Sequence, residues 1–212
     1  MRAALFDYGA GNLHSLAKAL AWAGADVVVE TDARAALAAD LLVLPGVGAF
    51  APAAARLAEA RSAVRAAIAN GLPCLGICLG MQLLFDGSDE GPGLGLGVIP
   101  GRVTRLTARR VPHMGWNRVK SRGDPALERS ALVIGYFAHG YACRPEREDA
   151  VVAWTTHEGD RFAAAVRQGS VFGVQFHPEK SSRPGLGLLR ACVAEAAGCA
   201  ATRPTAAREV AP

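Results

Sequence analysis

The segment Cys74-Leu75-Gly76-Ile77-Cys78-Leu79-Gly80-Met81-Gln82 narrows the choice of folds more than any other part of the chain. An apolar run turns at Cys78 and continues in a helical pattern. Leu72, Cys74, Leu75 and Ile77 read as a buried strand, and Met81, Leu83, Leu84 and Phe85 as the packed face of a short helix. Gly76 and Gly80 stand two positions on either side of Cys78, the spacing of a nucleophile elbow, whose turn is too tight for a Cβ at those neighbours. Such a turn lifts the sulfur out of the sheet. A thiol at a helix start also faces unpaired N–H groups and the positive end of the helix dipole, which favour the thiolate that attacks carbon. The same glycines also fit a plain packing turn around an inert cysteine, since free Cys is among the most buried residue types. The rest of the chain has to separate the two readings.

At 212 residues with 51% hydrophobic content, the chain fits one α/β domain with a substantial core. Its formal charge of +4 is mildly basic, but no Lys/Arg block is interleaved with aromatics, which argues against nucleic-acid binding. No stretch approaches the roughly 20 apolar residues of a membrane span. Met1 to Asp7 meets a charge too early for a secretory signal, so a cytoplasmic location and no membrane association are expected. The cysteines, Cys74, Cys78, Cys143, Cys192 and Cys199, are odd in number and scattered, unlike a disulfide framework. Neither C-x-x-C nor a Cys/His cluster at zinc spacing occurs, so neither metal nor cofactor is expected.

In chain order, Ala3 to Tyr8 reads as a strand ending in the loop Asp7-Tyr8-Gly9-Ala10-Gly11-Asn12. Gly9-x-Gly11 lacks the third glycine of a dinucleotide fingerprint, and Asn12 to Trp22 opens a helix instead, closed by Gly24. Ala25 to Glu30 and Asp40 to Leu44 are further strands with helical segments between. This alternation predicts an open, mostly parallel, doubly wound α/β sheet with helices on both faces. Pro45-Gly46-Val47-Gly48 follows a strand and precedes a helix from Ala53 to Asn70, with Pro52 near its start. Backbone N–H groups of such a loop can point at a developing negative charge, although taken by itself the loop is better explained as an ordinary βα connection. Asp86 to Gly93 reads as a polar surface loop in which Glu90 is simply solvated. From Val98 onward the texture is β-rich, over Val98 to Leu106, Ala131 to Cys143, Val151 to Thr155, Phe162 to Arg167 and Val171 to Phe176, which implies some antiparallel strands. Met114 and Trp116, in Val111 to Asn117, read most simply as core.

The strand pattern Phe172 to Phe176 delivers His177 and Glu179 at its carboxyl end. Residues i and i+2 of an extended segment share a side, and Pro178 keeps His177 extended, so imidazole and carboxylate become neighbours. A histidine that takes a proton from a thiol needs a carboxylate to fix its tautomer and stabilise the imidazolium. A metal reading of His-x-Glu lacks a third ligand nearby. Carboxyl ends of parallel strands converge on one crevice, so Cys78, the His177/Glu179 pair and the Gly46 loop together describe acyl transfer through a thioester.

Pro45-Gly46-Val47-Gly48, Gly76-Ile77-Cys78-Leu79-Gly80-Met81-Gln82 and Phe176-His177-Pro178-Glu179-Lys180-Ser181 resemble the three signatures of the class I (triad) glutamine amidotransferases. Asp7 to Leu13 and Pro112 to Asn117 narrow the likeness to the glutaminase subunits of imidazole glycerol phosphate synthases, of histidine biosynthesis. The likeness covers about residues 1 to 197, which places the domain at 1–198 and leaves 199–212 as an Ala/Pro/Arg-rich, disordered tail.

The resemblance implies hydrolysis of L-glutamine and delivery of ammonia to a (β/α)8 cyclase subunit in a heterodimer. It further implies a triad of Cys78, His177 and Glu179, an oxyanion hole from the backbones of Val47 and Leu79, and substrate contacts from Gly48, Gln82 and Glu90. Asn12, Trp116, Tyr136 and Lys180 match positions facing the cyclase. Gly140 stands where the family usually has Ser after Tyr136-Phe137-Ala138-His139. Competing readings are another triad glutaminase, against which the Asn12 and His113 stretches speak, a non-catalytic scaffold with a buried Cys78, and a cysteine peptidase with an open groove.

Overall fold

The computed structural model describes residues 1–9 and 13–202. In chain order the elements are β1 (Arg2–Phe6), α1 (Leu13–Trp22), β2 (Asp26–Glu30), α2 (Ala33–Leu37), β3 (Leu41–Leu44), α3 (Phe50–Leu57), α4 (Arg61–Ala69), β4 (Cys74–Ile77), α5 (Leu79–Gln82), β5 (Gly87–Ser88) and β6 (Gly101–Arg105). There follow β7 (His113–Arg118), β8 (Lys120–Ser121), α6 (Pro125–Ser130), β9 (Ile134–His139), β10 (Tyr141–Pro145), β11 (Val151–His157), β12 (Asp160–Gln168), β13 (Val171–Val174) and α7 (Ser182–Thr202).

The main sheet has the order β2-β1-β3-β4-β13-β12-β11-β8. Its first five strands run parallel, and β12, β11 and β8 extend it antiparallel on one side. Successive strand residues point to opposite faces, so Ala3 and Leu5 enter one apolar core and Ala4 and Phe6 the other. α1, α6 and α7 cover the first face through Leu16, Leu20, Leu127, Leu188 and Val193. α2, α3 and α4 cover the second through Leu37, Phe50, Leu57, Val64 and Ile68. Buried on both faces, β3 and β4 are unbroken apolar runs, as central parallel strands must be.

Several expectations need correction. The helix read from Ala53 to Asn70 is two helices, separated at Ala58 to Ala60. One continuous helix would carry Arg61 on the same stripe as Leu57, Val64 and Ile68. The break frees Arg61 and Arg65 to donate to the carbonyls of Gly95 and Leu96 at 2.6 and 2.5 Å. Residues 199–202, assigned to the tail, continue α7, because Ala200 extends the buried stripe of Cys192 and Ala196 at helical spacing. The remainder of the proposed tail lies outside the described residues.

β7 and β9 form a separate antiparallel ribbon, with His113 opposite His139 and Trp116 opposite Tyr136. Met114 and Trp116 are not core: they are 61% and 54% exposed. Alternation along β7 gives the inward register to His113, which stacks on Phe137 at 4.8 Å and on His157 at 4.1 Å. His113 Nδ1 lies 3.3 Å from His139 Nε2, and His139 Nδ1 meets the Tyr141 carbonyl at 2.8 Å. Burial lowers the pKa of His113 to about 4, with a further push from His157, and lowers that of His139 to about 3. Both rings are therefore neutral at pH 7.

Two outcomes follow from these packings. A Cβ at Gly80 would overlap the Leu44 carbonyl, which is central-strand backbone and cannot yield. Gly80→Ala is expected to cost about 3 kcal/mol or more, whereas Gly198→Ala, in open space on α7, gains up to about 1 kcal/mol. Thermal unfolding of the two variants side by side checks this; a Gly80→Ala chain melting with the wild type would refute it. The second outcome concerns acid. An unfolded histidine titrates near 6.5, above the folded values of His113 and His139, so the unfolded chain binds more protons between those limits. The contribution of these two histidines is then complete above about pH 6.5 and falls as pH drops toward 4 and 3, by up to about 1.4 kcal/mol per pH unit for each. Urea midpoints at pH 7.5 and 5.5 measure the slope, which His139→Leu should reduce.

Candidate active site

The carboxyl ends of β1, β3, β4 and β13 are neighbours in the sheet, so Tyr8, Pro45, Cys78 and Gln175 emerge along one rim. Cys78 sits at φ +50°, ψ −103°, a backbone state that costs a non-glycine residue about 1–3 kcal/mol and persists only where its surroundings hold it. Its N–H donates to the Val174 carbonyl at 2.7 Å, and its carbonyl accepts from Gln82 N at 3.1 Å. The missing side chains of three glycines make room for the turn. A Cβ on Gly76 would come within 2.7 Å of the Gly80 carbonyl, one on Gly80 would strike Leu44, and one on Gly46 would reach 2.5 Å from the Ile77 carbonyl and 3.0 Å from Cys78 Cβ. The helix after the turn, α5, has only one turn, so its dipole is slight and the sulfur's charge environment comes from side chains.

His177 and Glu179 do meet, but not by the extended alternation expected. β13 ends at Val174, and residues Pro178 to Lys180 form a 3₁₀ turn. His177 itself is extended, held by its N–H donating to the Tyr136 carbonyl at 2.8 Å, and the turn folds Glu179 back so that Oε1 lies 2.9 Å from His177 Nδ1. Both side chains are buried. Glu179 Oε2 has no hydrogen-bond partner among the described residues, so the carboxylate acts on one imidazole. Burial opposes a charged ring at His177, but hydrogen bonds to Cys78 and Glu179 and their negative charges outweigh it, raising its pKa to about 10. The imidazole is thus protonated near pH 7. Its Nδ1 faces Glu179, which leaves Nε2 for the sulfur.

Val47 is half-buried in the loop after β3, Gly48 is exposed at φ +126°, and Leu79 is the buried first residue of α5. The loop is braced on both sides. Tyr8 Oη donates to the Pro45 carbonyl, and Glu90 Oε2 accepts from Phe50 N at 2.9 Å, capping α3 where Ala49 offers no side-chain oxygen. Glu90 is therefore not merely solvated: it ties the 86–93 loop to the start of α3, two residues after Gly48. Gln82 is buried and donates from Nε2 to the Tyr141 carbonyl at 3.0 Å and to Gln175 Oε1 at 3.4 Å. Gln175 Nε2 in turn points at Cys78 Sγ, 3.5 Å away. Neither Tyr8 nor Gln175 was singled out from sequence. The available signals were a phenol at a strand's carboxyl end and one amide inside the apolar run Phe172 to Phe176. At Gly140 a Cβ would meet only Val111, at 3.5 Å, and φ is not positive. A serine would fit there.

Outside the cleft, Trp116 packs edge-on against Tyr136 with ring centroids 5.8 Å apart, and Lys180 Nζ lies 6.0 Å from the Tyr136 ring. These three form one exposed patch, whereas Asn12 lies outside the described residues. Among the described residues no group of three His, Cys, Asp or Glu is arranged to hold a metal ion. No described helix is long and apolar enough to cross a membrane.

The class-I glutamine amidotransferase family model matches residues 4–196. Imidazole glycerol phosphate synthase subunit HisH of Moorella thermoacetica is 49% identical over 195 residues, covering 88% of this chain and 91% of the relative. The subunit of the same description from Methanothermobacter thermautotrophicus is 46% identical over 190 residues, covering 88% and 95%. Among solved structures, a glutamine amidotransferase superposes with a TM-score of 0.72 at 22% identity, covering 93% of this chain and all of that one, which speaks to the fold alone. A nucleophile-type elbow, a buried imidazole-carboxylate pair and this degree of similarity together mean that the chain belongs to the class-I glutamine amidotransferases, in the family of imidazole glycerol phosphate synthase subunit HisH.

Proposed function

We propose that the chain is the glutaminase subunit of an imidazole glycerol phosphate synthase, hydrolysing L-glutamine to L-glutamate and passing the ammonia to a cyclase partner that makes imidazole glycerol phosphate and aminoimidazole carboxamide ribotide. The observation that carries this reading is Cys78 on its strained turn, in one cleft with the His177 imidazole, which a buried carboxylate holds at 2.9 Å. The domain is residues 1–202, and the partner is a (β/α)8 barrel bound as a heterodimer. A reduced thiol is essential to the chemistry, and the cytoplasm is the compartment that keeps thiols reduced.

In this mechanism the Cys78 thiolate attacks the side-chain amide carbon of glutamine, and the carbonyl π electrons move onto oxygen. The N–H groups of Val47 and Leu79 receive that oxyanion, each donor contributing about 3–4 kcal/mol in comparable sites. The imidazolium of His177 protonates the amide nitrogen, which leaves as ammonia with the C–N bonding pair. A thioester remains on Cys78. His177, now neutral, takes a proton from water, hydroxide adds to the thioester carbon, and the tetrahedral intermediate collapses to glutamate and thiolate. Glu179 stabilises the imidazolium and fixes its tautomer throughout. Gln82, Glu90 and Gly48 hold the substrate, the first two already anchored to the walls of the cleft.

Trp116, Tyr136 and Lys180 form the surface toward the cyclase, a role that the resemblance also gives to Asn12. Lys180 belongs to the 3₁₀ turn that carries Glu179, and the Tyr136 carbonyl holds His177 N, so a partner seated on this patch touches the site's own supports. Binding can then bias the loop from Gly46 to Gly48 toward the orientation that receives an oxyanion, provided the partner contacts its two states differently.

Glutamine hydrolysis measured on the chain alone, with the cyclase, and with the cyclase plus its ribonucleotide substrate tests the whole reading. The expected result is low basal activity, modest activation, and a large further rise mostly in kcat. Full activity without any partner would favour an independent hydrolase. Lys180→Ala should weaken activation while leaving the melting temperature in place. Cys78→Ala should remove glutamine-dependent synthesis by at least about 1,000-fold and spare synthesis from added ammonium. Glu179→Gln should retain roughly 10- to 100-fold more activity than His177→Ala, since it orients the base without carrying the transferred proton.

A further inference from the structure

Gln175 is completely buried immediately after β13, in a stretch whose other side chains are apolar. A buried carboxamide must find partners for its oxygen and its N–H₂ group, and here both sets are occupied by the site. The direction of the amide follows from a fixed end point. The Tyr141 carbonyl can only accept, so Gln82 faces it with Nε2, at 3.0 Å. That same nitrogen lies 3.4 Å from the Gln175 carboxamide, which must therefore present Oε1. What remains of Gln175 is its N–H₂ end, and it faces Cys78 Sγ at 3.5 Å.

We propose that Gln175 is a further catalytic group of the glutaminase reaction: its amide N–H donates to the Cys78 sulfur and stabilises the thiolate, both at rest and as the leaving group when the thioester is hydrolysed. This rests on Cys78 being the nucleophile. A neutral amide suits the task because, unlike His177, it stabilises negative charge on sulfur without handing it a proton. The donor is strong toward a thiolate and weak toward a thioester sulfur, so it opposes acylation slightly and assists deacylation. Its Oε1 contact to Gln82 means that the residue proposed to hold glutamine also sets the aim of the donor.

The test uses the complex with the cyclase and compares wild type, Gln175→Leu, Gln175→Glu and Cys78→Ala. Iodoacetamide alkylation of the Cys78 peptide is followed by mass against pH, which separates it from exposed Cys199. Loss of a hydrogen bond to a charged group is worth about tenfold or more, so Gln175→Leu should move the pH midpoint of alkylation up by about one unit and lower kcat about tenfold, with KM changed less than about threefold. Gln175→Glu keeps the acceptor toward Gln82 but turns a carboxylate toward the sulfur, so its midpoint should rise further still. A folded Gln175→Leu complex with an unmoved midpoint overturns the proposal, as a packing role would leave the midpoint in place. Should both variants fail to fold, the Gln175 side-chain amide protons of the wild-type complex decide: they shift as Cys78 ionises and stay fixed in Cys78→Ala, and their indifference to pH would refute it. Failure of the functional reading looks different, with Cys78→Ala hydrolysing glutamine as well as the wild type.

Discussion

The site depends on a contact between backbones. Gly80 lies so close to the Leu44 carbonyl that no Cβ fits between them, and a Cβ on Gly76 would come within 2.7 Å of the Gly80 carbonyl. These approaches press the start of α5 against the ends of β3 and β4, and the chain has no way to make that turn except through Cys78 in a left-handed state. The turn's strain is balanced by central-strand hydrogen bonding on both sides of it, including Cys78 N to Val174. A strained residue held by the best-packed part of a sheet is a rigid one. The sulfur position is thereby inherited from the parallel sheet and does not rely on a loop.

β9 links the cleft to the outer surface. Its Ala138 carbonyl lies 4.0 Å from Cys78 Sγ, its Tyr136 carbonyl anchors His177 N, and its Tyr136 N–H is held by Ser181 Oγ at 2.9 Å. The Tyr136 ring meanwhile meets Trp116 and Lys180. His139, at the strand's end, shares the Tyr141 carbonyl with Gln82. A small displacement of this ribbon would be felt at the base, at the proposed substrate contact and at the partner surface together. That is a physical continuity through which coupling can run, and its magnitude is a matter of how differently the partner contacts the two states.

The electrostatics of the cleft are built from short-range pairs in a dry setting. Glu179 acts on His177, His177 on Cys78, and the amides of Gln175 and Gln82 close the other side. The surface ion pairs, such as Arg102 with Asp89 and Arg147 with Asp149, are exposed and contribute little. The more buried pair of Arg167 with Asp124 braces α6 against β12, and Asp124 also caps α6. Charge is thus spent on structure at the periphery and on chemistry at the strand ends.

Local patterns made the α/β sheet, its parallel half, the elbow at Cys78 and the His177/Glu179 pair legible in the amino acids, because side-chain alternation, helix periodicity and turn glycines act over a few residues. Those same local rules misjudged Met114 and Trp116, which are outward only because His113 takes the inner register of a ribbon formed with a strand about twenty residues away. They missed Glu90, whose partner Phe50 is 40 residues distant, and Gln175, whose partners Gln82 and Cys78 are 93 and 97 residues away. An isolated amide in an apolar strand carries no local sign of which sulfur it will face. Only the sheet order, which sets β13 against β4 in register, brings Val174 beside Ile77 and so aims the next residue of each strand into the same cleft.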